Sequence, residues 1–180
     1  NGILDAYLGE EPERFTWEGK EYTPRTFMDN LLELNADDYV MLSSYTHHPF
    51  YKQFVLEVPD NWDYGLVHNV PLAEFMQTIE HAISTGYTVA WAADVSEHGF
   101  DFKKGIAVLP AKEWTDMEKS ERDSVFIAPI EEKTVTLAIR QKTFDNYTTT
   151  DDHGMHITGI AEDQNGTTYF YVKNSWGIKG

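Results

Sequence analysis

The sequence contains no cysteine. That excludes disulfides and thiolate metal sites within the chain, and it leaves the compartment open, because cysteine-free chains occur among cytosolic and secreted proteins alike. Positive charge is scarce: 14 Lys and Arg stand against 30 Asp and Glu, for a formal net charge of −16. Such a surface repels a phosphate backbone and no basic stripe interrupts it, so nucleic acid is not an expected partner. Apolar runs are short. Segments such as Tyr87–Ala93 fall far below the ~20 residues of a membrane-spanning helix, and no basic amphipathic segment is present, so no membrane role is expected. With 7 prolines and 12 glycines, and no repeat or low-complexity tract, the chain is neither fibrous nor disordered.

The composition is that of a folded protein: 41% hydrophobic and 14% aromatic over 180 residues, enough for one domain of the common size with a real core. The chain opens on Asn1 rather than Met and stops at Gly180 directly after a strand-like segment, the expectation for a piece cut from a longer protein. A signal peptide upstream would then be out of view.

Local patterns give an order of elements. Thr23 and Pro24 before Phe27, Met28, Leu31 and Leu32 combine an N-cap, a proline at the first helical position and an apolar stripe, predicting a helix over 24–34. YVMLSSY (39–45) and FVLEV (54–58) are β-rich and read as strands or extended arms. Pro71, the face Leu72, Phe75, Met76, Ile79, Ile83 and the stop at Gly86 predict a second helix. The continuous run YTVAWAADV (87–95) reads as a buried central strand, followed by a loop over 96–104 and a short strand at 105–110. Residues 111–124 read as surface helix or loop and 134–146 as a helix. MHITGIAED and TTYFYVKNSW flank Asn165-Gly166, a strong short hairpin signal. Helix first, then mostly antiparallel strands with inserted helices, makes the fold class α+β.

The hairpin carries the chemistry. His153 and Asn174, separated by 174 − 153 = 21 residues, lie on opposite arms at similar distances from the turn. An amide oxygen accepting from one imidazole nitrogen fixes tautomer and orientation, while the other nitrogen serves a nucleophile. A neutral amide suits a thiol partner, because the thiolate–imidazolium pair supplies its own opposite charges. Trp176 is positioned to cover that hydrogen bond and keep water off it.

DHGMHITGI followed by YFYVKNSWG resembles the histidine and asparagine motifs of the papain-like cysteine peptidases, and within them the aminopeptidase C and bleomycin hydrolase group. In that family an Asp-His pair opens one strand, a Gly follows the catalytic histidine by six residues, and Asn-Ser-Trp-Gly ends the partner strand. Those positions are Asp152, His153, Gly159 and Asn174 to Gly177 here, and the Gly159 spacing selects His153 over His156. Residues 70–95 and 140–155 also look like that group, so the likeness covers about half the chain.

The resemblance implies a papain-like fold, mainly its antiparallel, barrel-like β domain with inserted helices, and a partial peptidase domain over 1–180. It implies a thiol-dependent aminopeptidase with His153 as general acid/base, Asn174 orienting it, and Asp152 and Trp176 in support. Peptide substrates, self-association into a closed homo-oligomer and a cytoplasmic setting are implied too, with neither cofactor nor metal. The family's nucleophilic cysteine and oxyanion-hole glutamine lie upstream and have no match, so the chain alone is expected to be inactive.

Other readings stay open on the residues themselves. The chain could be an inactive peptide-binding or assembly module of the same fold. Asp151, Asp152, His153 and His156 have the chemistry of metal ligands, although 153 and 156 fall on opposite faces of a strand. His47-His48 before Pro49 reads as a surface or packing feature, with a metal or substrate role as the sharper alternative.

Overall fold

The computed structural model describes residues 2–177, which fall into two units that divide between Val40 and Met41. In the first, helix α1 (Gly2–Leu8) buries no residue. Strands β1 (Phe15–Trp17) and β2 (Lys20–Tyr22) form a hairpin whose two turn residues, Glu18 and Gly19, both have positive φ, 47° and 78°, as a primed two-residue turn requires. Helix α2 (Pro24–Phe27) starts at the expected Thr23 cap: Thr26 N donates to Thr23 Oγ1 at 3.1 Å, and Thr23 N donates back to Thr26 Oγ1 at 2.9 Å. The single helix expected over 24–34 changes character after one turn, continues as a π-helical turn over Met28–Leu32 and stops at Glu33 with φ 52°. Phe27 packs its ring against Phe15, Tyr22 and Trp17, at 5.2, 5.4 and 6.2 Å between centroids.

The second unit begins with three short strands, β3 (Leu42–Ser43), β4 (Lys52–Val55) and β5 (Leu66–Asn69). Their order is β3-β5-β4, with β3 parallel and β4 antiparallel to β5. The two expected strand runs are thus mostly extended arms with brief pairing. Helix α3 (Leu72–Ser84) follows where its apolar stripe predicts, burying Ile79, and ends ahead of Gly86 at φ 91°.

Strand β6 (Val89–Ala93) departs from expectation. It lies at the edge of a three-stranded sheet of order β10-β9-β6, and Ala90, Trp91 and Ala92 are exposed. An unbroken apolar run cannot by itself separate a central strand from an edge, and two of these three residues are alanines, with little apolar surface to hide. The expected loop at 96–104 contains strand β7 (Phe100–Asp101), paired with β8 (Ile106–Ala107). Gly99 is required there, because a Cβ on it would stand 1.9 Å from the Val108 carbonyl oxygen. Val108, Met117 and Val125 form a small core with Trp114, Phe126 and Ile130 around it. It is roofed by a 3₁₀ turn (Trp114–Asp116) and helix α4 (Lys119–Ser124). Helix α5 (Leu137–Asp145) is capped by Thr136.

The long hairpin of β9 (His153–Glu162) and β10 (Thr168–Lys173) closes through Asp163–Thr167, with Gly166 at φ 82°. Asp163 Oδ1 accepts from Asn165 N and Thr167 N at 2.8 and 2.9 Å. Along β9, His153, Met155 and Ile157 share one face; the latter two are buried, Ile157 to 3% exposure, each such burial stabilising the fold by about 1.5–3 kcal/mol. The register shifts by one residue between Tyr171 and Val172: Tyr171 pairs with Gly159 but Val172 pairs with Ile157, leaving Thr158 as a bulge. The architecture is the expected α+β, with open sheets; none among the described residues closes into a barrel.

Candidate functional site

His153 opens β9, paired with Ala93 of β6, and its ring is half-buried. Two carboxylates fix the chain leading into it. Asp152 N donates to Ala93 O at 3.2 Å, and the Asp152 carboxylate accepts from Val95 N at 3.0 Å. Asp94 takes Ser96 N and Oγ on one oxygen, at 2.8 and 2.7 Å, and Thr150 N and Oγ1 on the other, at 2.7 and 3.1 Å. Partial burial pushes the Asp94 carboxyl upward, but these four donors outweigh it and hold the group below the usual carboxylate range. Asp151 moves the other way, raised by burial and by the neighbouring charges of Asp60 and Asp152.

Asn174 reaches the histidine through the bulge. Val172 shares a face with Ile157, and Asn174, two residues on, shares it too. Continuing that register sets Asn174 beside Met155, one diagonal step from His153, rather than symmetrically across the turn as counting from Asn165-Gly166 implies. His153 Nε2 and Asn174 Oδ1 are 2.8 Å apart.

A second contact settles which atom donates. Ser175 N, which can only donate, lies 2.7 Å from the same Asn174 Oδ1. The amide oxygen therefore faces both groups, and His153 Nε2 carries the proton. In the neutral ring this leaves Nδ1 as a bare acceptor, with no hydrogen-bond partner among the described residues. Asn174 Nδ2 is buried and likewise unpartnered among them.

Trp176 covers this pair. Its ring lies 4.6 Å from that of His153 at 37°, and Phe100 and Phe102 meet it edge-on at 6.2 and 5.0 Å, the favoured aromatic geometry. The strands thus bring His153, Asn174 and Trp176 together, while Asp152 braces the entry to β9. Phe100, Phe102 and Asp94 escape a reading of the sequence, because the first two sit in a segment that looks like loop and Asp94 acts on a residue 56 positions away. What the arrangement can do is present one unprotonated imidazole nitrogen in a fixed tautomer, with the Trp176 ring against the imidazole.

His156 faces away and lies with Nε2 2.7 Å from Thr88 Oγ1, so it does not join His153 in a ligand set. Among the described residues, the grouping of His, Asp and Glu donors close enough for a metal ion is His47, His48 and Glu57. An open depression of about 670 Å³ lined by Thr46, Leu137 and Gln141 lies apart from His153.

The chain matches the Peptidase C1-like family over residues 3–180 and belongs to it. It is 26% identical over 185 residues to Aminopeptidase G of Lactobacillus delbrueckii subsp. lactis, an alignment covering 96% of this chain and 39% of that protein. Its fold is similar to that of PepW from Lactobacillus rhamnosis, solved as the selenomethionine derivative, with a TM-score of 0.67 at 20% identity over 99% of this chain and 40% of that one. The chain therefore spans about two fifths of the length of these relatives. The architecture is that of a papain-like peptidase.

Proposed function

We propose that this chain contributes the histidine–asparagine part of a thiol-dependent peptidase site, acting as an aminopeptidase as the name of its Lactobacillus delbrueckii relative states for that protein. The observation that supports the reading is the 2.8 Å contact of His153 Nε2–H with Asn174 Oδ1 beneath Trp176, which leaves Nδ1 free to exchange a proton. With no cysteine in the 180 residues, the sulfur comes from outside them.

The chemistry is acyl transfer. The thiol gives its proton to His153 Nδ1, and the thiolate attacks the scissile carbonyl carbon to form a tetrahedral oxyanion. As that collapses, the C–N bond breaks and Nδ1–H protonates the departing amine, leaving a thioester. Water then attacks the thioester, losing a proton to Nδ1, which returns it to the sulfur as the acid leaves. Asn174 holds the ring plane through both halves, and its neutral oxygen accepts from Nε2–H in every step.

The test is turnover of aminoacyl fluorogenic substrates by the gene product that contains this chain, with and without a thiol alkylator. Activity abolished by alkylation, and by His153→Ala with the fold intact, is the expected result. Activity indifferent to the alkylator overturns the reading, and absence of turnover in a preparation with a titratable free thiol makes the protein a binding or assembly module instead. The 180-residue chain alone is expected to turn over nothing.

A further inference from the structure

Between β3 and β4 the backbone is fixed from three sides. Asn69, with 0% exposure, accepts from Tyr45 N at 2.9 Å and donates through Nδ2 to the carbonyls of Tyr45 and His48, both at 2.8 Å. Arg140 of α5 donates from Nε to Ser44 O at 2.9 Å, with its guanidinium 4.6 Å above the Tyr45 ring. Gln141, the next residue, accepts from Thr46 N at 2.6 Å. This much buried hydrogen bonding holds one short segment, and what that segment displays is two consecutive imidazoles.

Each ring is set against a phenylalanine. His47 stacks on Phe144 at 5.2 Å and 13°, and His48 on Phe54 at 4.4 Å and 25°, so neither can swing far without losing that contact. Both turn Nε2 onto one carboxylate: His47 Nε2 is 3.1 Å from Glu57 Oε2 and His48 Nε2 is 2.8 Å from Glu57 Oε1. One donor atom from each of the three residues lies within 4.8 Å of the others. The histidine side chains are 28% and 33% exposed and Glu57 55%, so an ion has a path in from solvent.

We propose that His47, His48 and Glu57 form a binding site for a divalent transition metal of the zinc class, with a fourth position left to solvent. Two imidazole nitrogens and a carboxylate oxygen are the donor set zinc accepts, whereas calcium and magnesium require oxygen throughout. A ligating Nε2 must be bare, which moves the proton of His47 to Nδ1. Gln141 accommodates that change: its Oε1 is 3.3 Å and its Nε2 3.0 Å from His47 Nδ1, so the amide can accept from Nδ1–H with the ion bound or donate to Nδ1 without it. Asp145 steadies the amide, accepting from Gln141 Nε2 at 2.7 Å, the outer support that metal-bound histidines regularly have. The bound ion ties the 45–57 segment together independently of His153, so this site stands or falls apart from the peptidase reading.

The test is calorimetric titration of the gene product that contains this chain, its thiol alkylated, with Zn²⁺ alone, alongside Co²⁺ absorption as a report on coordination geometry. One equivalent binding with a dissociation constant below roughly 10 µM is expected, with a rise in Tm on addition. His48→Ala is expected to abolish it, and Glu57→Gln, an exposed change that leaves the stacking intact, to weaken it by at least about 10-fold, while His156→Ala binds as the parent does. Circular dichroism checks folding; should His48→Ala fail to fold, Glu57→Gln decides. Binding no tighter than that limit in the parent, or unchanged in Glu57→Gln, overturns the site and leaves the cluster as two imidazoles hydrogen-bonded to a carboxylate.

Discussion

His153 and Asn174 meet at 2.8 Å across the open end of the β9–β10 hairpin, with the amide oxygen shared by Ser175 N. That second donor makes the contact directional: the imidazole gives its Nε2 proton to Asn174 and keeps Nδ1 for chemistry.

Removing either partner has unequal consequences. His153→Ala takes away the proton carrier and is expected to lower kcat/KM of the thiol-bearing protein by about 10³-fold or more. Asn174→Ala leaves the carrier but loosens its aim, with an expected loss of roughly 10²-fold. Steady-state kinetics on aminoacyl substrates check the ranking; equal losses would mean that the amide does more than orient.

Trp176→Ala strips the cover from the pair and leaves Phe100 and Phe102 without their edge-on partner. A stability loss of about 0.5–1.5 kcal/mol beyond the lost area is expected, together with a fall in kcat, read by denaturant unfolding and kinetics. Trp176→Phe is expected to recover part of both.

Asp94 contributes stability that only strong acid removes. Its folded-state pKa lies below the unfolded value near 3.8, so its ionised form favours the native state; the contribution is complete above the unfolded value and is lost as pH falls through the folded one. Asp94→Asn is therefore expected to be less stable than the parent at pH 7, with the gap closing in strong acid. Asp151, shifted upward, has the opposite sign, and Asp151→Asn is expected to gain stability at neutral pH. Urea midpoints across pH measure both.

The pieces legible in sequence are those governed by short-range rules. Thr23 caps its helix, Gly86 ends α3, Gly166 turns the hairpin, and His153 with Asn-Ser-Trp-Gly marks the site. What stayed hidden depends on partners distant in the chain. The four donors around Asp94, the two phenylalanines against Trp176 and the approach of Glu57 to His47 and His48 leave no local periodicity. The edge position of β6 is not legible in sequence, because Ala90, Trp91 and Ala92 look like core when the neighbouring strands are unknown.

The bulge at Thr158 divides the hairpin into two mechanically separate halves. Because the phase of Asn174 is set inside β9 and not at the loop, exchanging or lengthening Asp163–Thr167 should leave the His–Asn contact where it is. Loss of the bulge with Thr158 retained, so that Val172 paired with Thr158 and Lys173 with Ile157, should instead set Asn174 opposite His156, disarming the centre while keeping every side chain that composes it.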